Sequence, residues 1–87
     1  MTITEKKIAL RAINELQQQI KAFEASWKKA YDNGDETSEI DETIDRLLSK
    51  RRGMETMLNE LDIAYVRRDW IEDKGLQCIP HTSFRLA

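Results

Sequence analysis

Leu61-Asp62-Ile63-Ala64-Tyr65-Val66-Arg67-Arg68-Asp69-Trp70-Ile71-Glu72-Asp73-Lys74-Gly75, residues 61–75, is the stretch whose reading sets the fold class. Before it, Ile40, Ile44, Leu47, Arg51, Met54 and Leu58 recur in alternating steps of four and three, the spacing of one helix face. Leu61, Tyr65 and Arg68 continue those steps. Lys74-Gly75 then offers a basic last turn followed by a glycine suited to the left-handed C′ position. On this reading 61–73 is the last third of a second helix covering about residues 38–73, and the chain is all-α. Gly53 is its weak point, costing about 1 kcal/mol against Ala in a helix interior.

Working back from that helix, Thr37 or Ser38 is its cap, and Glu39, Asp41 and Glu42 sit in its first turn, where the helix dipole favours acids. Asp32-Asn33-Gly34 ends an earlier helix, with Asn33 or Gly34 able to take a positive φ. That first helix opens on a Thr2-x-x-Glu5 capping box. Its stripe, Ala9, Ile13, Leu16, Ile20, Phe23, Trp27 and Ala30, has heptad spacing. Helices over about 4–32 and 38–73, joined by a few residues, predict a long antiparallel two-helix hairpin, coiled-coil-like, over residues 1–74. Ile13 is expected opposite Leu58, Leu16 opposite Met54 and Ile20 opposite Arg51. Arg51 sits at a core position, its expected partner being Glu55 or a Gln of the first helix.

Working forward, residues 75–87 have no helical period, and Pro80 disfavours a central helix or strand. They read as a short extended C-terminal tail with apolar anchors Leu76, Ile79, Phe84 and Leu86.

The 87 residues allow one small domain. The 14 basic and 16 acidic side chains nearly cancel, which argues against a general nucleic-acid binder. The charge is uneven, because residues 32–45 carry seven acids and no base. No apolar run is long enough to span a membrane, and Met1-Thr2-Ile3-Thr4-Glu5-Lys6-Lys7 lacks the apolar core of a secretory signal. With one cysteine, Cys78, the expected setting is the cytoplasm.

No motif calls for a cofactor, a metal or catalysis. Cys78-Ile79-Pro80-His81 has half the spacing of a zinc site, but the chain has no second Cys or His to complete it. Asp32-Asn33-Gly34-Asp35-Glu36 departs from the frame of a calcium loop. The expected role is therefore that of a small protein–protein interaction module, an adaptor or inhibitor gripping a larger protein, with self-association into a homo-oligomer also expected. Its contact is expected at the open end of the hairpin, where apolar residues leave the main stripe. Ile63, Tyr65, Val66 and Trp70, with Phe84 of the tail, are the candidate partner-binding residues. The acidic tip, Asp35, Glu36, Glu39 and Glu42, is the second candidate. Two alternatives are a nucleic-acid-associated helper using Arg46, Lys50 and Arg52 on helix 2, and a structural self-assembling coiled coil.

Overall fold

The computed structural model of the chain describes residues 1–75 and 77–87. Leu76, read above as a tail anchor, lies outside them. Two helices, α1 (Ile3–Asp32) and α2 (Ser38–Glu60), are followed by two antiparallel strands, β1 (Tyr65–Lys74) and β2 (Gln77–Leu86). The protein is thus α plus β, which corrects the all-α expectation. The helical hairpin is present, but its second helix is shorter, and the tail is a strand. The four elements make a flat slab of 48 × 28 × 16 Å.

The first helix starts and stops where its caps place it. Thr2 Oγ1 accepts from the Glu5 main-chain N–H at 3.2 Å and donates to Glu5 Oε1 at 3.1 Å. At the other end Asp35 N donates to Ala30 O and Gly34 N to Tyr31 O, with Gly34 at φ +75°. This pair of bonds is the Schellman closure, which satisfies the last carbonyls of a helix. In α2, Thr37 holds the expected N-cap position but its side chain makes no capping bond, and Glu36 accepts from the first main-chain N–H groups instead. Its Oε1 accepts from the main-chain N–H groups of Thr37 and Ser38, at 3.1 and 3.0 Å, and from the Ser38 hydroxyl. Gly53 does not interrupt α2, and a Cβ there would meet nothing within 4 Å.

The correction to the fold is made at residues 57–63. Leu61 N donates to Met57 O, Asp62 N to Asn59 O and Ile63 N to Leu58 O at 2.9 Å, and Asp62 takes φ +55°. This is a second Schellman closure with an aspartate at C′, where glycine is the usual signal. It turns the chain so that Ile63 lands beside Leu58, in the same cluster of buried side chains. An apolar contact between these two positions commonly accompanies the motif. Beyond it Tyr65, Val66, Trp70 and Ile71, aromatic and β-branched, suit a strand. Gly75, read above as a helix stop, takes φ +65° just after the last residue of β1.

Register runs without a bulge from Tyr65↔Leu86 to Lys74↔Gln77. Ala87 N donates to Ala64 O, so the 64/87 position belongs to the hydrogen-bonded set of the ladder, as do alternate pairs beyond it. Phe84, opposite Arg67, belongs to the other set and points its N–H and C=O away from β1. Pro80, four residues earlier, shares that orientation, so its missing N–H removes no bond to β1. A proline is tolerated in a strand at such a position.

The core lies where all four elements meet, at the open end of the helical hairpin. Leu10 and Ile13 of α1, Leu58 of α2, Ile63 of the connection and Phe84 of β2 are buried together, with Met54, Tyr65 and Leu86 packed against them. Burying one such side chain fully contributes about 1.5–3 kcal/mol. Ile13 and Leu58 meet as expected. Arg51 Nη1 donates to Gln17 Oε1 at 2.6 Å, the second of its two expected partners. Toward the helical turn the stripes are less covered: Phe23 is exposed, and Trp27, Ile44 and Leu47 are half-buried. The β-hairpin therefore covers part of the apolar open end, while Ile3, Ile8 and Leu61 there stay exposed.

Candidate functional site

The residues expected to form one partner-binding patch are divided by the fold. Ile63 and Phe84 are 1% and 3% exposed and belong to the chain's own core. Tyr65 is half-buried; its hydroxyl donates to Glu55 Oε1 at 3.3 Å and its ring lies 6.0 Å from that of Phe84. Val66 and Trp70 stay exposed, at 39% and 38%, on the face of β1 that turns away from Tyr65. Period-two alternation in a strand separates them; a helix would have grouped Tyr65 and Val66 more closely.

The acidic tip stays on the surface, with Asp35, Glu36, Glu39 and Glu42 all exposed. Glu36 is engaged locally, and the Ser38 hydroxyl and main-chain N–H hold its carboxyl below the usual range. Arg46, Lys50 and Arg52 are exposed on α2 and form no ion pair among the described residues. Arg52 reaches only the Ser49 hydroxyl, at 3.4 Å.

Cys78 and His81 cannot act together on a metal or a substrate. Three residues apart on β2, they project from opposite faces. His81 is committed elsewhere: Lys21 Nζ lies 2.8 Å from its Nδ1, and its Nε2 lies 2.8 Å from Glu72 Oε2. An ammonium can only donate, so Nδ1 accepts and Nε2 carries the proton toward Glu72. Both ring nitrogens are used, and neither has a free lone pair for ligation or proton abstraction. Trp70 stacks on the ring at 5.1 Å and 13°. The assembly ties β1 and β2 to α1. It also draws the Glu72 carboxyl below its ordinary range, through His81 first and Lys74 second.

What the tertiary structure does assemble is a groove of about 900 Å³ between the C-terminal half of α1 and the tip side of β2. Trp27 and Tyr31, one turn apart, stack at 5.1 Å and 10° on one wall. Ile79 and Pro80, with Cys78, line the other, and Lys21, Lys28 and Lys29 stand around it with Glu24 and Asp32. The Trp27 indole Nε1 is buried and has no hydrogen-bond acceptor among the described residues. The sequence carried a trace of this site in the Trp27/Tyr31 spacing of four, which puts two aromatics on one helix face. The heptad spacing places Trp27 only on the stripe that faces the second helix, and nothing in it places β2 beside that residue.

No family model, no curated protein and no solved structure matches this chain.

Proposed function

We propose that the chain is a small non-catalytic interaction module, an adaptor or inhibitor, that holds a segment of a larger protein in the groove between α1 and β2. The observation that carries this reading is the stacked Trp27 and Tyr31 pair on the wall of that groove, with Ile79 and Pro80 on the other. The stacked Trp27 and Tyr31 rings offer such a segment an aromatic wall. Aromatic side chains in partly enclosed sites dominate the energetics of many protein interfaces. The lysines around the rim suit a segment with acidic neighbours. Lys21–His81–Glu72, the most developed polar assembly, joins elements of the fold to one another. The cytoplasm is the proposed setting, on the strength of the exposed, unpaired thiol of Cys78.

The test is affinity capture with the immobilised chain, from cells that express it, read by mass spectrometry beside a Trp27→Ala variant of unchanged circular dichroism. The reading expects specific binders that the variant loses. A variant that retains the same binders overturns it.

A further inference from the structure

The two edges of the β-hairpin differ. The outer edge of β2 lies along α1, where Asn14 takes both main-chain groups of Phe84. The outer edge of β1 has no such cover among the described residues. By the alternation established above, Tyr65, Arg67, Asp69, Ile71 and Asp73 turn their N–H and C=O groups toward it. This edge is ten residues long, straight in register, and has no proline and no glycine. Exposed edges of that kind tend to pair with another strand unless something blunts them.

Charge is the usual blunting device, but here its order favours a second copy of the same strand. Basic Arg67 and Arg68 precede Trp70, and acidic Glu72 and Asp73 follow it. We propose that β1 is the interface of a homodimer, in which two copies pair their β1 strands antiparallel about a two-fold axis at Trp70 to give one four-stranded sheet. In this register Arg67 of one copy opposes Asp73 of the other, and Arg68 opposes Glu72. By symmetry the dimer has four such opposite-charge pairs. A slip of two residues one way sets Asp69 against Asp73 and Arg68 against Lys74. A slip of two the other way pairs Arg67 with Ile71 and Arg68 with Trp70, and loses the ion pairs. A slip of one residue turns the main-chain groups out of alignment.

Within one copy Arg67 already pairs with Glu55 and Asp69, and Glu72 with His81 and Lys74, so each inter-copy pair joins one engaged side chain to one unpaired among the described residues. Arg68 and Asp73 form no ion pair among the described residues, and Arg68 lies 5.0 Å over the Trp70 ring. Trp70 and Ile71, at the centre of the strand, are 38% and 68% exposed. In the dimer the two Trp70 side chains fall on the same face in a closely spaced pair, so the apolar centre is flanked by charge on both sides.

Sedimentation velocity on the full chain tests this. At about 100 μM, a range where weak symmetric dimers populate, the expected species is a dimer. Arg68→Glu and Glu72→Arg should each weaken dimerisation by at least about tenfold, since each sets like charges opposite one another twice. Mixing the two variants should restore a heterodimer, because the exchanged charges again oppose one another. Ile71→Pro removes an N–H that points to the free edge and not to β2. It should give a monomer of unchanged circular dichroism. A monomeric wild-type chain, a dimer that survives Ile71→Pro, or charge variants that fail to recover on mixing would each overturn the proposal.

Discussion

The side-chain amide of Asn14 closes a two-bond ring with the main chain of Phe84: Nδ2 donates to Phe84 O at 2.8 Å, and Phe84 N donates to Oδ1 at 2.9 Å. An amide side chain reproduces here what a neighbouring strand would offer, so helix α1 serves as the missing neighbour of β2. This contact positions Phe84 in the core and aligns β2 with the groove wall.

Asn14→Leu removes both bonds and leaves the Phe84 N–H and C=O without partners in a partly buried site. The expected loss is about 2–4 kcal/mol of unfolding free energy, measured by urea titration. Asn14→Asp keeps the acceptor and loses the donor, so it should fall between the variant and the wild type.

Arg51 reaches Gln17 with Nη1 while its Nε is buried without a partner among the described residues, and desolvation first, then the nearby Arg67, lowers its pKa. Gln17 is itself buried at the helical interface. Replacing both, Arg51→Met with Gln17→Leu, should raise the melting temperature, since apolar packing of similar volume replaces a desolvated polar pair. Gln17→Leu alone should lower it, because Arg51 then loses its partner. Differential scanning calorimetry of the two variants gives the signs.

At the end of α2, Asp62 holds a left-handed conformation at φ +55°. Asp62→Gly should stabilise the protein by about 0.5–1 kcal/mol, because glycine enters that region without steric cost. Asp62→Val should destabilise it by about 1–2 kcal/mol. Chemical denaturation of the two variants tests the order. Equal stability would show that the turn does not depend on this residue.

Asp69 accepts from the Thr82 hydroxyl at 2.7 Å and from Arg67 Nε at 3.1 Å, and these contacts, Thr82 first, hold its carboxyl below the ordinary range. A carboxyl whose folded pKa is depressed stabilises the fold above its unfolded value, about 3.9. That contribution disappears as the pH falls through the lower folded value. Glu72, depressed through His81 and Lys74, acts in the same direction. The melting temperature should therefore fall below about pH 4, and more shallowly in Asp69→Asn than in the wild type. Melting curves across that range should bring the two proteins together at the acid end.

The sequence by itself determined α1, the turn and the start of the helical hairpin. Thr2 with Glu5 and Asn33 with Gly34 carry their own local bonds, and the Ile13, Leu16, Ile20 stripe has no competing period. The pairing of Ile13 with Leu58 was legible for the same reason, whereas the spacing left Arg51 open between Glu55 and a Gln of α1. Only the tertiary structure decided the part from residue 61 onward. The helix stop at Asp62 uses a residue common on any helix surface, and it becomes a stop only when Ile63 can close onto Leu58. The strands have no clean alternation, because a two-stranded ribbon leaves both faces partly in water and Arg67, Arg68 and Asp69 can occupy either. The hydrogen bonds of β1 come from β2, and those of the outer edge of β2 at Phe84 come from Asn14, 70 residues away. A four-three spacing that runs through Tyr65 and Arg68 cannot record partners so distant in the chain. The groove at Trp27 is lost to a sequence reading for the same physical reason: its second wall is a strand that arrives from the far end of the chain.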